Sequence, residues 1–313
     1  MAKISLTDEL RHFSVPGEVR VNRHGKGKLS TKVFNSMGSF PVANCIIMGE
    51  ERCAIFDAQS TMANAYRCLA EILEENLILE TIYLSHAHPD HYFGVEAYME
   101  RFPEARIIAV PEETVIIPKQ WKQKWESQKM VQGADMELSR TNYASPELRY
   151  PIIALENNYF ELEGHRIEIL PRMMGDYRYN TVGYIPEIHT IICSDCLFNE
   201  AHPFTCELDD AERAEWRDVC DRLEAMDCDV VIPGHFKHGM PLDNTAFDWN
   251  RKYIDMTELE LKRCRTEAEF YYAMDRHFPN AILQKSNEMN AKVFFAGVKW
   301  DWREDEVWEE GKK

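Results

Sequence analysis

No uninterrupted apolar run in this chain approaches the roughly 20 residues that a membrane-spanning helix needs, so no membrane partner is expected. The stretch Met1 to Glu9 lacks the apolar h-region of a secretory signal, and no signal peptide is expected. Basic residues are in deficit: 36 Lys and Arg against 53 Asp and Glu leave a formal net charge of −17. A surface of that sign repels phosphate backbones, which argues against a nucleic-acid partner. The nine cysteines are an odd number, and Cys193 and Cys196 form the one CxxC pair. Without a second pair a zinc ribbon is excluded, and a disulfide framework fits poorly; a reducing cytoplasm is the expected compartment. Ile191-Ile192 before Cys193 and Leu197-Phe198 after Cys196 read as a strand running into a loop, so both thiols are expected to be small buried residues at a strand end. No internal repeat or low-complexity tract is visible.

What remains is an ordinary globular composition, 45 % hydrophobic and 28 % charged over 313 residues, long enough to bury a large core. Residues 1–37 are polar and irregular, with Pro16 and a basic cluster from Arg20 to Lys32, and are expected to form an arm or lid. Val42 to Ile47 and Cys53 to Phe56 predict a hairpin around Gly49 to Arg52. Ala65, Leu69, Ile72 and Leu73 recur at helical spacing within Met62 to Asn76. A strand, Thr81 to Leu84, follows, then a polar run, a helix ending near Arg101, and a strand from Arg106 to Val110. Pro111 suits the first position of the next helix. Residues 111–150, with Trp121 and Trp125 among many Lys and Gln, are expected to be an exposed helical insertion.

Beyond Pro151, Tyr159 to Leu162 and Arg166 to Leu170 flank a Glu163-Gly164-His165 turn, and Thr181 to Ile185 and Thr190 to Cys193 flank Pro186-Glu187. Asp209 to Met226 predicts an amphipathic helix capped by Asp209 or Asp210. A last strand, Asp229 to Ile232, leaves into Pro233-Gly234-His235, and Asp243 to about Asp275 is helical before a frayed acidic tail. Two groups of strands, each with helices, predict a four-layer αββα sandwich with a metal site along one edge of the stacked sheets. Residues 1–240 would form that domain, and 241–313 a helical extension packed on it.

The chemistry is concentrated in Ser85-His86-Ala87-His88-Pro89-Asp90-His91, directly after a hydrophobic strand. His86 and His88 alternate, so in an extended loop they point the same way. Asp90 and His91 follow in a turn that can fold back toward a second ion. Three imidazoles and a carboxylate at this density serve metal binding, not core packing.

This run resembles the signature of the metallo-β-lactamase superfamily. The order of later elements is similar too: a turn near 175, Ser194-Asp195 after a strand, and Pro233-Gly234-His235, with Asp57 at an earlier strand end. The resemblance covers about residues 40–240. It implies that His86 and His88 bind a first metal, that Asp90, His91 and His235 bind a second, and that Asp195 bridges both. The family's third ligand to the first metal is usually a histidine; here Met174-Gly175-Asp176-Tyr177 puts Asp176 there. Asp176 as an oxygen ligand, as an outer group beside a weaker site, or as the mark of an inactive member are the three readings, and the first is favoured. Zinc, about two ions per chain, is the default; relative to an all-imidazole set the added oxygen would shift preference toward manganese or iron.

Such a site implies hydrolysis: a hydroxide shared by two ions attacks a carbonyl carbon, and Asp90 positions it and passes a proton to the leaving group. A lactone, lactam, ester or thioester is the expected substrate, as a small molecule. A phosphodiesterase or nuclease on the same fold, and a non-catalytic ligand sensor with a degenerate site, are the alternatives. Tyr92, Tyr177 and His202 are the candidate substrate contacts, although tyrosines so placed often serve as packing groups. Lys237 and His238 suit solvated charges. Trp121, Trp125, Met130, Met136, Met173 and Met174 suit a helix stripe on the sandwich more than a substrate wall. The C-terminal helices are candidates for a cap over the cleft or a homodimer contact.

Overall fold

Pairing of β-branched and aromatic runs gives two sheets in this computed structural model, which describes residues 17–38, 40–132, 144–299 and 304–311. The first sheet holds β1 (Gly17–Asn22), β2 (Ser30–Ser36), β3 (Ala43–Met48), β4 (Arg52–Phe56), β5 (Ile78–Tyr83), β6 (Arg106–Ala109) and β7 (Ile152–Ala154), in that spatial order. β1 to β4 run antiparallel, and β4 to β7 are parallel. The second sheet holds β8 (Tyr159–Leu162), β9 (His165–Met173), β10 (Asn180–Ile185), β11 (Thr190–Asn199) and β12 (Val230–Phe236), with β12 beside β11. Its pairs are antiparallel except β11 with β12. The inner faces meet through Val33, Ile47, Phe56 and Tyr83 from one sheet and Phe160, Ile169, Ile192 and Phe236 from the other.

Helices cover both outer faces. On the first sheet lie α1 (Met62–Glu74), α2 (Pro89–Tyr92), α3 (Val95–Arg101) and α4 (Pro111–Gln132). α1 starts at Thr61, whose side chain caps the Asn64 amide, and it buries Ala65, Cys68, Leu69 and Ile72. Each large aliphatic side chain so buried contributes about 1.5–3 kcal/mol by transfer from water. On the second sheet lie α5 (Asp210–Glu224), started by the reciprocal capping of Asp209 and Glu212, and α6 (Thr245–Arg263). The order helix, sheet, sheet, helix is the four-layer sandwich expected from the strand and helix pattern. α7 (Glu267–His277) and α8 (Gln284–Ala296) extend α6 with a small core of their own around Tyr253, Phe270 and Phe278. α9 (Glu304–Gly311) lies against the first outer layer through Val307 and Trp308.

Four expectations need correcting. The segment read as an arm supplies β1 and β2, and Lys32 of its basic cluster is buried because Glu71 of α1 and Glu75 at its C-terminal cap pair with it at 3.1 and 2.7 Å. Residues 1–16 lie outside the described residues. The segment read as an exposed insertion contains α4, whose Trp121 is buried among Tyr92 and Phe93, with Lys124 buried one turn on. The Met130 side chain and Met136 lie outside the described residues. The acidic tail is not frayed over 304–311, because Val307 and Trp308 give that helix an apolar contact. Cys193 and Cys196 are buried thiols as expected, but within a ten-residue strand and not at its end. β11 and β12 likewise run on past the expected ends and carry Asp195 and His235 themselves.

Candidate metal centre

The polar run leaves β5 extended, with His88 at φ −86° and ψ 133° as the residue before α2. Pro89 starts that one-turn helix, and Asp90 and His91 sit on it. An extended pair of histidines followed by a helical turn thus presents four side chains able to bind a metal from six residues. Asp176 enters from the turn between β9 and β10, where its N–H donates to the Asp195 carbonyl at 3.2 Å. Asp195 is aimed by a break in the β11–β12 register on either side of Ser194, which is held at φ +44°. A bulge in a strand commonly re-aims a side chain in this way. His235 comes from β12.

These side chains form two groups, each with ligand atoms within 4.8 Å of one another. His86, His88, Asp176 and Asp195 make one; Asp90, His91, Asp195 and His235 make the other. Asp195 is common to both. Its Oδ2 lies 3.7 Å from His86 Nε2 and 3.3 Å from His235 Nε2, and its Oδ1 lies 3.2 Å from His91 Nε2. Asp90 Oδ2 is 3.3 Å from both His91 Nε2 and His235 Nε2. Asp176 Oδ2 is 3.5 Å from His88 Nδ1. All seven side chains brought together from the sequence are buried.

The residues fit divalent metal ions. Among the buried polar atoms with no hydrogen-bond partner are His86 Nε2, His91 Nε2, Asp90 Oδ2, Asp176 Oδ2 and Asp195 Oδ1. Burying such atoms unpaired is costly, and their convergence gives a cation its donors. The opposite ring edges are already engaged. His91 Nδ1 faces Asp57 Oδ2 at 2.8 Å, and His235 Nδ1 donates to the Pro41 carbonyl at 2.5 Å. His86 Nδ1 meets Ser85 Oγ at 2.8 Å; that hydroxyl contacts Ser194 Oγ, which donates to Asp57 Oδ2 at 3.1 Å. Asp57 therefore orients an imidazole of each group. Such partners fix the tautomer that leaves Nε2 free as a ligand.

The electrostatics are those of crowded, dry charges. Burial opposes protonation of His88, His91 and His235, yet the facing carboxylates prevail, raising His88 and His91 well above the usual range and His235 to about 10. Burial and the neighbouring imidazoles push His86 well below it. Asp195 and Asp90 resist burial and stay ionised because His235 and His91 stand against them. Burial, then Asp195, raises Asp176 to about 7. A bound metal would compete with protons for the same lone pairs.

Close packing of backbone is part of the design. A Cβ on Gly234 would collide with Asp195 Oδ1 and lie 2.6 Å from the Ser194 carbonyl carbon. One on Gly175 would lie 2.5 Å from the Asp195 carbonyl oxygen. Glycine is required at both for the three strands to converge on Asp195.

Of the candidate substrate contacts, Tyr177 stands beside the site, its ring centroid 5.6 Å from that of His86 and 5.2 Å from that of His88. Tyr92 packs on Phe93 and Trp121 in the outer layer. His202 is enclosed by the C-terminal helices: Nδ1 meets the Tyr253 hydroxyl at 2.9 Å and Nε2 the Gln284 amide at 3.2 Å. Lys237 donates to the Asn280 carbonyl, and His238 to carbonyls of Asn35 and Ser36. Ser85, Ser194, Glu207 and the two glycines carry no local signal of a role; only their contacts across the fold reveal them.

The model of the metallo-beta-lactamase superfamily matches residues 39–235, which include every proposed ligand. The chain belongs to the metallo-β-lactamase superfamily. Solved superfamily structures share the fold at low identity. A family protein from Thermus thermophilus is 18 % identical, with a TM-score of 0.58 over 89 % of this chain and 94 % of that one. The sec-alkyl sulfatase PisA1 of a Pseudomonas species, as a double mutant, is 16 % identical, with a TM-score of 0.55 over 88 % of this chain and 50 % of that one. The metallo-β-lactamase FIM-1 of Pseudomonas aeruginosa, in a mono-zinc form, is 14 % identical, with a TM-score of 0.53 over 77 % of this chain and 96 % of that one. No curated protein matches the chain. Among the described residues no helix is long and apolar enough to cross a membrane.

Proposed function

We propose that the chain is a metal-dependent hydrolase that cleaves a carbonyl C–O or C–N bond of a small molecule, a lactone, lactam, ester or thioester. The observation that carries this reading is the convergence of buried, unpartnered His and Asp atoms on two adjoining points that share Asp195. His86, His88 and Asp176 would hold one divalent ion, and Asp90, His91 and His235 the other, with Asp195 reaching both. When bound, such ions supply Lewis acidity and lower the pKa of water toward neutrality. The chain's own residues do the rest. Asp90, 3.3 Å from two imidazoles of its group, is placed to hold the attacking water through its carboxylate and to carry a proton to the leaving group. Tyr177, against His86 and His88, forms one wall where substrate would lie. Zinc is the first expectation for the metal.

Sulfate esters, after the sec-alkyl sulfatase whose fold matches 88 % of this chain, are a second substrate class. Metal analysis of the purified protein, with a panel of lactones, lactams, esters, thioesters and alkyl sulfates, tests both. Two equivalents of metal and turnover of a carbonyl substrate support the first; turnover of alkyl sulfates alone transfers the assignment to the second. Absence of metal after zinc reconstitution would sink both. Asp90→Asn should lower turnover more than metal content, and an equal loss of the two would remove the proton-carrying role.

A further inference from the structure

The loop leaving β11 brings Glu207 back to the metal centre. Its Oε1 stands 3.6 Å from Nε2 of His88, while His88 Nδ1, on the other edge of the ring, faces Asp176. Both side chains are nearly out of solvent, 9 % exposed for His88 and 6 % for Glu207. His88 Nε2 is among the buried atoms with no hydrogen-bond partner. Glu207 belongs to neither ligand group. The separation exceeds a hydrogen bond, and a shift of about half an ångström in ring or carboxylate would make one.

The position of this carboxylate is set from outside the sandwich. Asn290, buried on α8, accepts from the backbone amides of Thr205 and Cys206 at 2.9 and 3.1 Å, and donates to the Pro203 carbonyl at 2.9 Å. On the far side, Arg178 donates to the Glu207 carbonyl at 3.2 Å and to Glu212 Oε2 at 3.1 Å. The backbone is thereby held on both sides of the glutamate.

We propose that Glu207 is a positioning residue for His88, accepting its Nε2–H so that Nδ1 is presented to the first metal, and that the C-terminal helix α8 sets Glu207 in place through Asn290. A carboxylate behind a ligating imidazole fixes its tautomer and ring angle and strengthens it as a ligand. His86 and His91 already have such partners in Ser85 and Asp57, and His235 has the Pro41 carbonyl. Glu207 completes the set for the fourth histidine. The inference rests on the metallo-hydrolase reading only in taking His88 as a ligand.

The test is binding, not turnover. Metal-free full-length protein is titrated with cobalt(II) followed by visible absorbance, and the step lost in His88→Ala identifies the first site. Glu207→Gln, nearly isosteric, should weaken that step about 10- to 100-fold and leave the other within about twofold. Asn290→Ala, which removes both the acceptor for Thr205 and Cys206 and the donor to Pro203, should weaken the same step less. Glu207→Asp, with the charge kept but drawn back, should fall between wild type and Glu207→Gln, and serves if the amide variant does not fold. A folded Glu207→Gln protein with both steps unchanged overturns the role of Glu207. Equal weakening of both steps by Asn290→Ala overturns the role of α8. A wild type that takes no cobalt overturns the metal reading itself, and with it this one.

Discussion

Asp57→Asn changes one atom type at the point where both ligand groups are braced. The carboxylate accepts from the Ser85 amide at 2.9 Å through Oδ1, and from His91 Nδ1 at 2.8 Å and the Ser194 hydroxyl at 3.1 Å through Oδ2. An amide has a single acceptor oxygen. With that oxygen toward Ser85, the new NH2 faces His91 Nδ1, which must give up its proton; the proton then moves to Nε2, the atom facing Asp90 and Asp195. With the amide turned the other way, the Ser85 N–H is left buried against a donor, at a cost of about 1–3 kcal/mol. The first outcome spoils a metal ligand, and the second destabilises the loop that carries all four clustered ligands. We expect the group containing His91 to lose about 10- to 100-fold in metal affinity, or about 1.4–2.7 kcal/mol. Stability of the metal-free form should fall by about 1–3 kcal/mol. Competition with a chromophoric chelator measures the first, and urea unfolding in excess chelator the second. Zinc affinity within twofold of wild type, with an unchanged urea midpoint, would refute the bracing role of Asp57.

Gly234→Ala should cost about 1–3 kcal/mol by overpacking, because its Cβ meets Asp195 Oδ1 and the Ser194 backbone, and it should reduce metal content at both groups together. Loss of metal from one group alone would contradict the sharing of Asp195. Burial pushes His202 down to about 4 against the pull of Asp275, from an ordinary 6.5. The folded state thus prefers the neutral ring: its contribution is present above pH 6.5 and is lost as pH falls toward 4, by about 3 kcal/mol in all. Urea midpoints of His202→Gln should therefore fall less than those of wild type between pH 6.5 and 4, and parallel curves would show that the ring does not resist protonation.

Much of the site lay in local sequence. His86 to His91 are adjacent, and ligand types at that density after a hydrophobic strand admit few structural uses. Asp176, Asp195 and His235 came from resemblance in their order and spacing, and the fold brings all three to the same run. The helices with clear apolar periodicity, such as α1 and α5, were equally visible. β1 and β2 were not, since an edge hairpin rich in charge has the composition of an arm until Glu71 and Glu75 are seen to neutralise Lys32.

The sequence by itself determined the dense run from His86 to His91 and the layered architecture, because both depend on short-range pattern: a compact motif, and periods of two and of 3.6 residues. Tertiary structure alone decided how those ligands are held. Asp57 reaches Ser194 across 137 positions, and Asn290 reaches the loop before Glu207 across 85. No local pattern encodes such pairings. They exist because packing two sheets and their helices brings buried polar groups together wherever the chain happens to return.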